Sequence, residues 1–193
     1  MKIHEVKTYL FNELSEDAKK KAISDFAADE EYIWHNDNAK TLEAFENVFP
    51  VKVGRYEYGF CRGYINFELT SENDIEELTG MRLRTWLINN FYNDLFKPKY
   101  LKHIKGQARY SKIQKSTDCV LTGYCIDNEI LSPIYEFLKK PGENTNLYAL
   151  MQSCLNNWLS ACQKDYNYYY SDEAIAETIE ANECEFLESG KRF

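Results

Sequence analysis

Leu147-Tyr148-Ala149-Leu150-Met151-Gln152-Ser153-Cys154-Leu155-Asn156-Asn157-Trp158-Leu159-Ser160-Ala161-Cys162 is the stretch that decides the fold class. Leu147, Leu150, Met151, Cys154, Leu155, Trp158, Leu159 and Cys162 stand at i, i+3, i+4, i+7, i+8, i+11, i+12 and i+15, one continuous apolar stripe of an α-helix. Such a stripe docks on a sheet or on other helices far more often than it lines a cofactor groove. A partner sheet is legible upstream. Val51-Lys52-Val53-Gly54-Arg55-Tyr56-Glu57-Tyr58 and Tyr64-Ile65-Asn66-Phe67-Glu68-Leu69 alternate apolar and polar residues, and Gly59 to Gly63 between them has the glycines of a hairpin connection.

The same reasoning extends in both directions. Ile3 to Phe11 reads as a first strand. Ser15 then caps a helix, with Glu16 and Asp17 at the positive end of its dipole and Ala18, Ala22, Ile23 and Phe26 at helical spacing. A second helix is expected from Glu31 to Phe49, before Pro50, with Trp34, Leu42, Phe45 and Phe49 as its apolar set. Ser71 heads a short acidic helix ending near Gly80. Leu83, Trp86, Leu87, Phe91 and Leu95 mark another helix that stops by Pro98. Ala108 to Tyr124 reads as extended segments with a turn. Asn128 to Lys140 reads as a helix with Pro133 in its first turn, broken by Pro141-Gly142. Ser171 caps a final short helix, and Cys184 to Phe193 is a terminal strand or tail. With no internal repeat or linker, the expectation is a single α+β domain over residues 1–193, a small mainly antiparallel sheet packed with several helices.

Of the 193 residues, 44% are hydrophobic and 28% charged, which is a globular balance rather than a disordered one. No apolar run reaches the roughly 18 residues of a membrane span. The opening Met1-Lys2-Ile3-His4-Glu5-Val6-Lys7 lacks the apolar stretch of a signal peptide, so the expected location is cytoplasmic. The six cysteines contain no C-x-x-C pair, and the three histidines are far apart, so neither a disulfide framework, a metal site nor a cysteine nucleophile is expected. Neither a phosphate-binding glycine loop, a G-x-S-x-G nor an H-E-x-x-H occurs. Asp118 and Asp127 flank Leu121-Thr122-Gly123-Tyr124-Cys125 and can share a site, although turn and cap roles explain them more simply. The expected protein is therefore a binding protein with no catalytic residues and no cofactor.

Charge carries the strongest local signal. Lys97, Lys99, Lys102, Lys105, Arg109, Lys112 and Lys115 lie in one acid-free run, seven positive charges in a chain of net −8, so the rest sums to −15. Tyr100, His103 and Tyr110 are interleaved with them. Cations that neutralise phosphates beside rings that stack on unpaired bases suit a nucleic-acid strand, such as a guide RNA, although charge runs are more often solvated faces. Two regions have the opposite sign. One is Asp165, Asp172, Glu173, Glu177, Glu180, Glu183, Glu185 and Glu188. The other is Glu13, Glu16, Asp17, Asp25, Asp29, Glu30 and Glu31. Carboxylates spread on a surface can stand in for phosphates in a basic cleft. Tyr166, Tyr168, Tyr169 and Tyr170 adjoin the first region, and some of them are expected under the last helix while the remainder suits an interface.

Three blocks carry a resemblance. They are Thr8-Tyr9-Leu10-Phe11-Asn12-Glu13-Leu14-Ser15-Glu16-Asp17-Ala18-Lys19 with Ala22, Leu121-Thr122-Gly123-Tyr124-Cys125-Ile126-Asp127, and Glu180-Ala181-Asn182-Glu183-Cys184-Glu185-Phe186-Leu187-Glu188-Ser189-Gly190. Together they resemble a group of small phage and prophage accessory proteins. The resemblance imports no catalytic residues. It implies a phage or mobile-element protein acting in a bacterial host, and accessory proteins of this size and acidity are often inhibitors of host defence, anti-CRISPR proteins among them. On that basis the expected partner is a CRISPR effector or another defence nuclease, with guide RNA as a further contact and no membrane. The expected partner-binding residues are Asp165, Tyr166, Tyr168, Tyr169, Asp172, Glu173, Glu177 and Glu180. The expected nucleic-acid contacts are Lys97, Lys99, Tyr100, Lys102, Lys105, Arg109, Tyr110 and Lys112.

Overall fold

The computed structural model describes residues 5–100 and 113–193, with backbone only for Asn73 and Tyr100. In chain order the elements are β1 (Tyr9–Leu10), a 3-10 turn (Phe11–Glu13), α1 (Glu16–Asp29), α2 (His35–Val48), β2 (Val51–Tyr58), β3 (Gly63–Leu69), α3 (Asn73–Glu76), α4 (Gly80–Phe96), β4 (Lys99–Tyr100), β5 (Ile113–Gln114), α5 (Ile126–Lys139), α6 (Leu147–Tyr169), α7 (Asp172–Ala181) and β6 (Glu185–Phe186). The class is α+β. Among the described residues the strands pair antiparallel in three separate two-stranded ladders: β1 with β6, β2 with β3, and β4 with β5. The chain divides into two compact units, residues 1–33 with 164–193, and residues 34–163.

The first unit is made from both arms of the sequence. Ser15 Oγ accepts from the Ala18 amide at 3.3 Å, starting α1 as its hydroxyl chemistry predicts. Ala18, Ala22 and Phe26 then fall on the buried face of α1. Ser171 Oγ accepts from the Ala174 amide at 3.2 Å and starts α7, whose Ile175 and Ile179 are buried. These side chains join Phe11, Leu14, Cys184 and Phe186 in one small core. Tyr9 pairs with Phe186 in the β1–β6 ladder. Gly190 has φ +81°, and a Cβ there would lie 2.2 Å from the Ala18 carbonyl oxygen, so only glycine fits against α1 at this point.

The second unit holds the larger core. The stripe of α6 supplies Leu147, Leu150, Met151, Cys154, Leu155, Trp158 and Cys162, all buried. Trp158 is its centre: Tyr56 and Tyr58 of β2 set their rings edge-on to the indole at 5.2 and 5.8 Å, and the indole N–H donates to the Asn38 carbonyl of α2 at 3.2 Å. The hairpin forms where alternation predicts it. Its register runs from Val51 opposite Leu69 and shifts between Val53 and Tyr56, which re-aims Tyr56 and Tyr58. Leu42 and Phe45 of α2, Phe49, Val51, Val120, Leu83, Leu87 and Leu95 of α4, and Ile130, Leu131, Ile134, Phe137 and Leu138 of α5 complete the core.

Several details depart from the sequence expectations. Trp34, expected in the core, is 46% exposed, because α2 begins at His35 instead of Glu31 and leaves Trp34 just outside the helix. Gly80 opens α4 with φ +51° instead of closing the acidic helix, which is the single turn α3. The helix α5 starts at Ile126, earlier than expected, so Pro133 lies inside it. There its ring removes the amide that would bond the Glu129 carbonyl. No helix of the described residues is long and apolar enough to cross a membrane.

Candidate functional site

The two units differ in charge more than in anything else. The first contains 16 of the 31 acidic residues and eight of the 23 basic ones, so it carries the entire −8; the second has 15 of each and is neutral. Within the first unit, α7 presents its carboxylates on the side opposite Ile175 and Ile179. Glu173, Glu177 and Glu180 stand at i, i+4 and i+7 on one exposed face, with Asp172 exposed at the helix start. None of these four makes an ion pair with a cation among the described residues.

The tyrosine cluster has a more internal role than its sequence suggests. Tyr169 donates its hydroxyl to the Glu31 carbonyl at 3.1 Å, and Tyr170 donates to the Glu30 carbonyl at 3.0 Å. Tyr32 takes the centre: its hydroxyl donates to Asp165, and the rings of Tyr166 and Tyr169 meet it edge-on at 5.2 and 5.4 Å. Burial is the main reason that the Tyr169 and Tyr170 hydroxyls are held above their ordinary pKa, and nearby carboxylates add to it, so both remain donors. These rings therefore clamp the segment after α1 onto the end of α6, and the core beneath α7 is made by other residues. Tyr168 alone of the four faces solvent, at 57% exposure. Of the expected partner-binding set, Tyr168, Asp165 and the α7 acids are thus at the surface, while Tyr166 and Tyr169 are half-buried supports. Tyr32 was not singled out from sequence; an isolated tyrosine after a helix gives no sign of partners 133 residues away.

In the second unit, Lys97 ends α4 in the left-handed region at φ 37°, and Lys99 pairs with Gln114 across β4 and β5. Tyr100 lies opposite Ile113 in the same ladder. Lys102, His103, Lys105, Arg109, Tyr110 and Lys112 lie outside the described residues. Lys97, Lys99 and Lys115 share one cavity of about 550 Å³ with Asp118 and residues 119–123.

Asp118 and Asp127 do not form a pair. Asp118 is exposed, whereas Asp127 is wholly buried at the start of α5. Its Oδ2 accepts from the amides of Leu121, Thr122 and Gly123 at 3.0, 2.7 and 2.9 Å. Its Oδ1 accepts from the Thr122 hydroxyl at 2.6 Å and from the Thr41 hydroxyl of α2 at 3.3 Å. A buried carboxylate surrounded by amide and hydroxyl donors needs no cation, and the helix start adds a favourable dipole. Its chemistry is that of a loop anchor: every lone pair is committed to folding residues 121–123 back over α5. Among the described residues no three His, Cys, Asp or Glu side chains converge as metal ligands. The Cys119 thiol is held above its ordinary pKa mainly by desolvation, with Cys125 and Asp127 adding to it, and burial pushes Cys154 far up as well. Neither is poised as a thiolate.

Comparison with protein-family models, curated proteins and solved structures finds no match.

Proposed function

We propose that this is a non-enzymatic inhibitor of a bacterial defence nuclease, of the anti-CRISPR kind, which occupies a basic nucleic-acid channel with the acidic surface of its first unit. The observation that carries the reading is the concentration of the whole −8 in that unit, with Glu173, Glu177 and Glu180 aligned and unpaired on α7 among the described residues. Carboxylates at one-turn spacing offer a cationic channel a row of negative charge, as a phosphate strand does, and Tyr168 adds exposed aromatic area beside them. The assignment to host defence comes from the resemblance to phage accessory proteins. The test is target cleavage by purified CRISPR effectors with the protein added at low and high salt. Inhibition is expected to fall with salt, and Glu173→Lys, Glu177→Lys and Glu180→Lys together should weaken it by at least about tenfold. Inhibition equal at both salt concentrations and unchanged in the triple variant refutes the reading.

A second reading has its own support. The cavity shared by Lys97, Lys99 and Lys115 suits a phosphate backbone, so the segment 97–115 is alternatively a nucleic-acid-binding module, guide RNA included. Neutralising Lys99, Lys102 and Lys105 should then flatten the salt dependence of RNA or single-stranded DNA binding; an unchanged slope removes this reading.

A further inference from the structure

A second cavity of the neutral unit has a chemistry that the acidic surface does not explain. It encloses about 450 Å³ between α4, α5 and the residues that follow β5. Its apolar part comes from Tyr92 and Phe96 on α4 and Tyr135 on α5; its charged part is Arg84, Lys115 and Lys139. No carboxylate is among the described residues that line it, in a chain with 31 of them. None of the three cations is ion-paired among the described residues.

Two of the three cations are held in place. Arg84 Nε donates to the Leu138 carbonyl at 2.8 Å, which fixes the guanidinium and leaves its terminal N–H groups for a ligand. The Lys115 ammonium sits 4.8 Å from the Tyr92 ring centre and 4.9 Å from that of Phe96, so ring electrons hold a charge at the edge of the cavity. Lys139 is exposed in the last turn of α5. The Tyr135 hydroxyl is already committed, donating to the Leu95 carbonyl at 2.7 Å, and burial pushes its pKa up to about 12. Tyr135 therefore offers the cavity a neutral ring and adds no negative charge.

We propose that this cavity binds a nucleoside phosphate, with the base against Phe96, Tyr92 and Tyr135 and the phosphate on Arg84, Lys115 and Lys139. The volume lies within the roughly 300–1,000 Å³ of small-molecule sites, and an aromatic wall beside a cationic rim matches a ligand with a flat ring at one end and negative charge at the other. Lys115 also lines the cavity of Lys97 and Lys99, whereas Arg84 and Lys139 belong to this site and not to that one. A free nucleotide and a nucleotide within a single strand present the same chemistry.

Calorimetric titration of the full chain with ATP, with a single-stranded hexathymidylate and with inorganic tripolyphosphate tests the assignment. ATP or the oligonucleotide should bind, and whichever does so identifies the source of the nucleoside phosphate. Lys139→Glu and Arg84→Gln should each weaken that binding by about tenfold or more, while Lys191→Gln in the other unit leaves it unchanged. Lys139→Glu is the decisive variant, because this exposed side chain makes no hydrogen bond among the described residues whereas Arg84 also holds the Leu138 carbonyl. Three results overturn the proposal: no binding of either nucleoside-containing probe at millimolar concentration, affinity unchanged in Lys139→Glu, or tripolyphosphate binding as tightly as ATP.

Discussion

The unit of residues 34–163 and the unit built from the two arms of the chain solve opposite problems. The former is neutral and buries a 20-residue core around Trp158; the latter carries −8 on a core of nine buried residues. Self-repulsion among like charges opposes compactness, and a small core has less apolar area to offset it. The acidic unit therefore depends on a few tight local devices: two serine caps, the tyrosine clamp around Tyr32 and the close approach of Gly190 to α1. The neutral unit draws on a larger shared core and on one concentrated anchor of its own, Asp127. Surface charge and core size thus trade off along a single chain.

The largest expected effect that can break this contrast lies in the neutral unit. Asp127→Ala leaves three part-buried amides and two hydroxyls without this acceptor, and should cost about 3–5 kcal/mol. Hydrogen exchange should place that loss in α5, α2 and the loop of residues 121–123, with α1 and α7 protected as before. An equal loss in both units would mean that they do not differ in the way described. Next comes Gly190→Ala. Its methyl would meet the Ala18 carbonyl, and the backbone would be left at a strained positive φ, so about 2–4 kcal/mol should disappear from protection of α1 and α7 and almost none from α6 at Leu155. The smallest effect sharpens the contrast. Raising salt from about 0.05 to 0.5 M should stabilise Ile175 and Ile179 amides by about 0.5–1 kcal/mol through screening, with a change less than half as large at Leu87 and Ile134. A response of the same size at both places would show that net charge does not govern the difference.

How far the sequence reached follows from the range of the interactions involved. The stripe of α6, the hairpin and the Ser15 and Ser171 caps depend on neighbours a few residues away, and all are present where the pattern places them. Trp34 fits a helical face in the sequence, but the helix start that decides its direction depends on where the chain leaves α1. Asp127 stood out beside Asp118, yet its five donors include one from Thr41, 86 residues earlier, which spacing cannot show. The division into two units is equally non-local: Tyr9 pairs with Phe186, and α1 packs with α7, across more than 140 residues. The acids of α7 were legible as a row because helical spacing is local. The cavity of Arg84 and Lys139 was not, since its two positions are contributed by different helices and neither belongs to a charge run.

That same pairing of Tyr9 with Phe186 sets a timetable for synthesis. Residues 34–163 form one uninterrupted stretch, so the neutral unit can complete its contacts while the ribosome is still adding the rest. Strand β1 and helix α1 emerge before the neutral unit but wait for partners made after it, an interval on the order of seconds for the stretch between them. Until then the nascent chain holds its early acids on a helix without a finished core. The assembled acidic face exists only on chains translated through β6, so it appears after the neutral unit rather than before it.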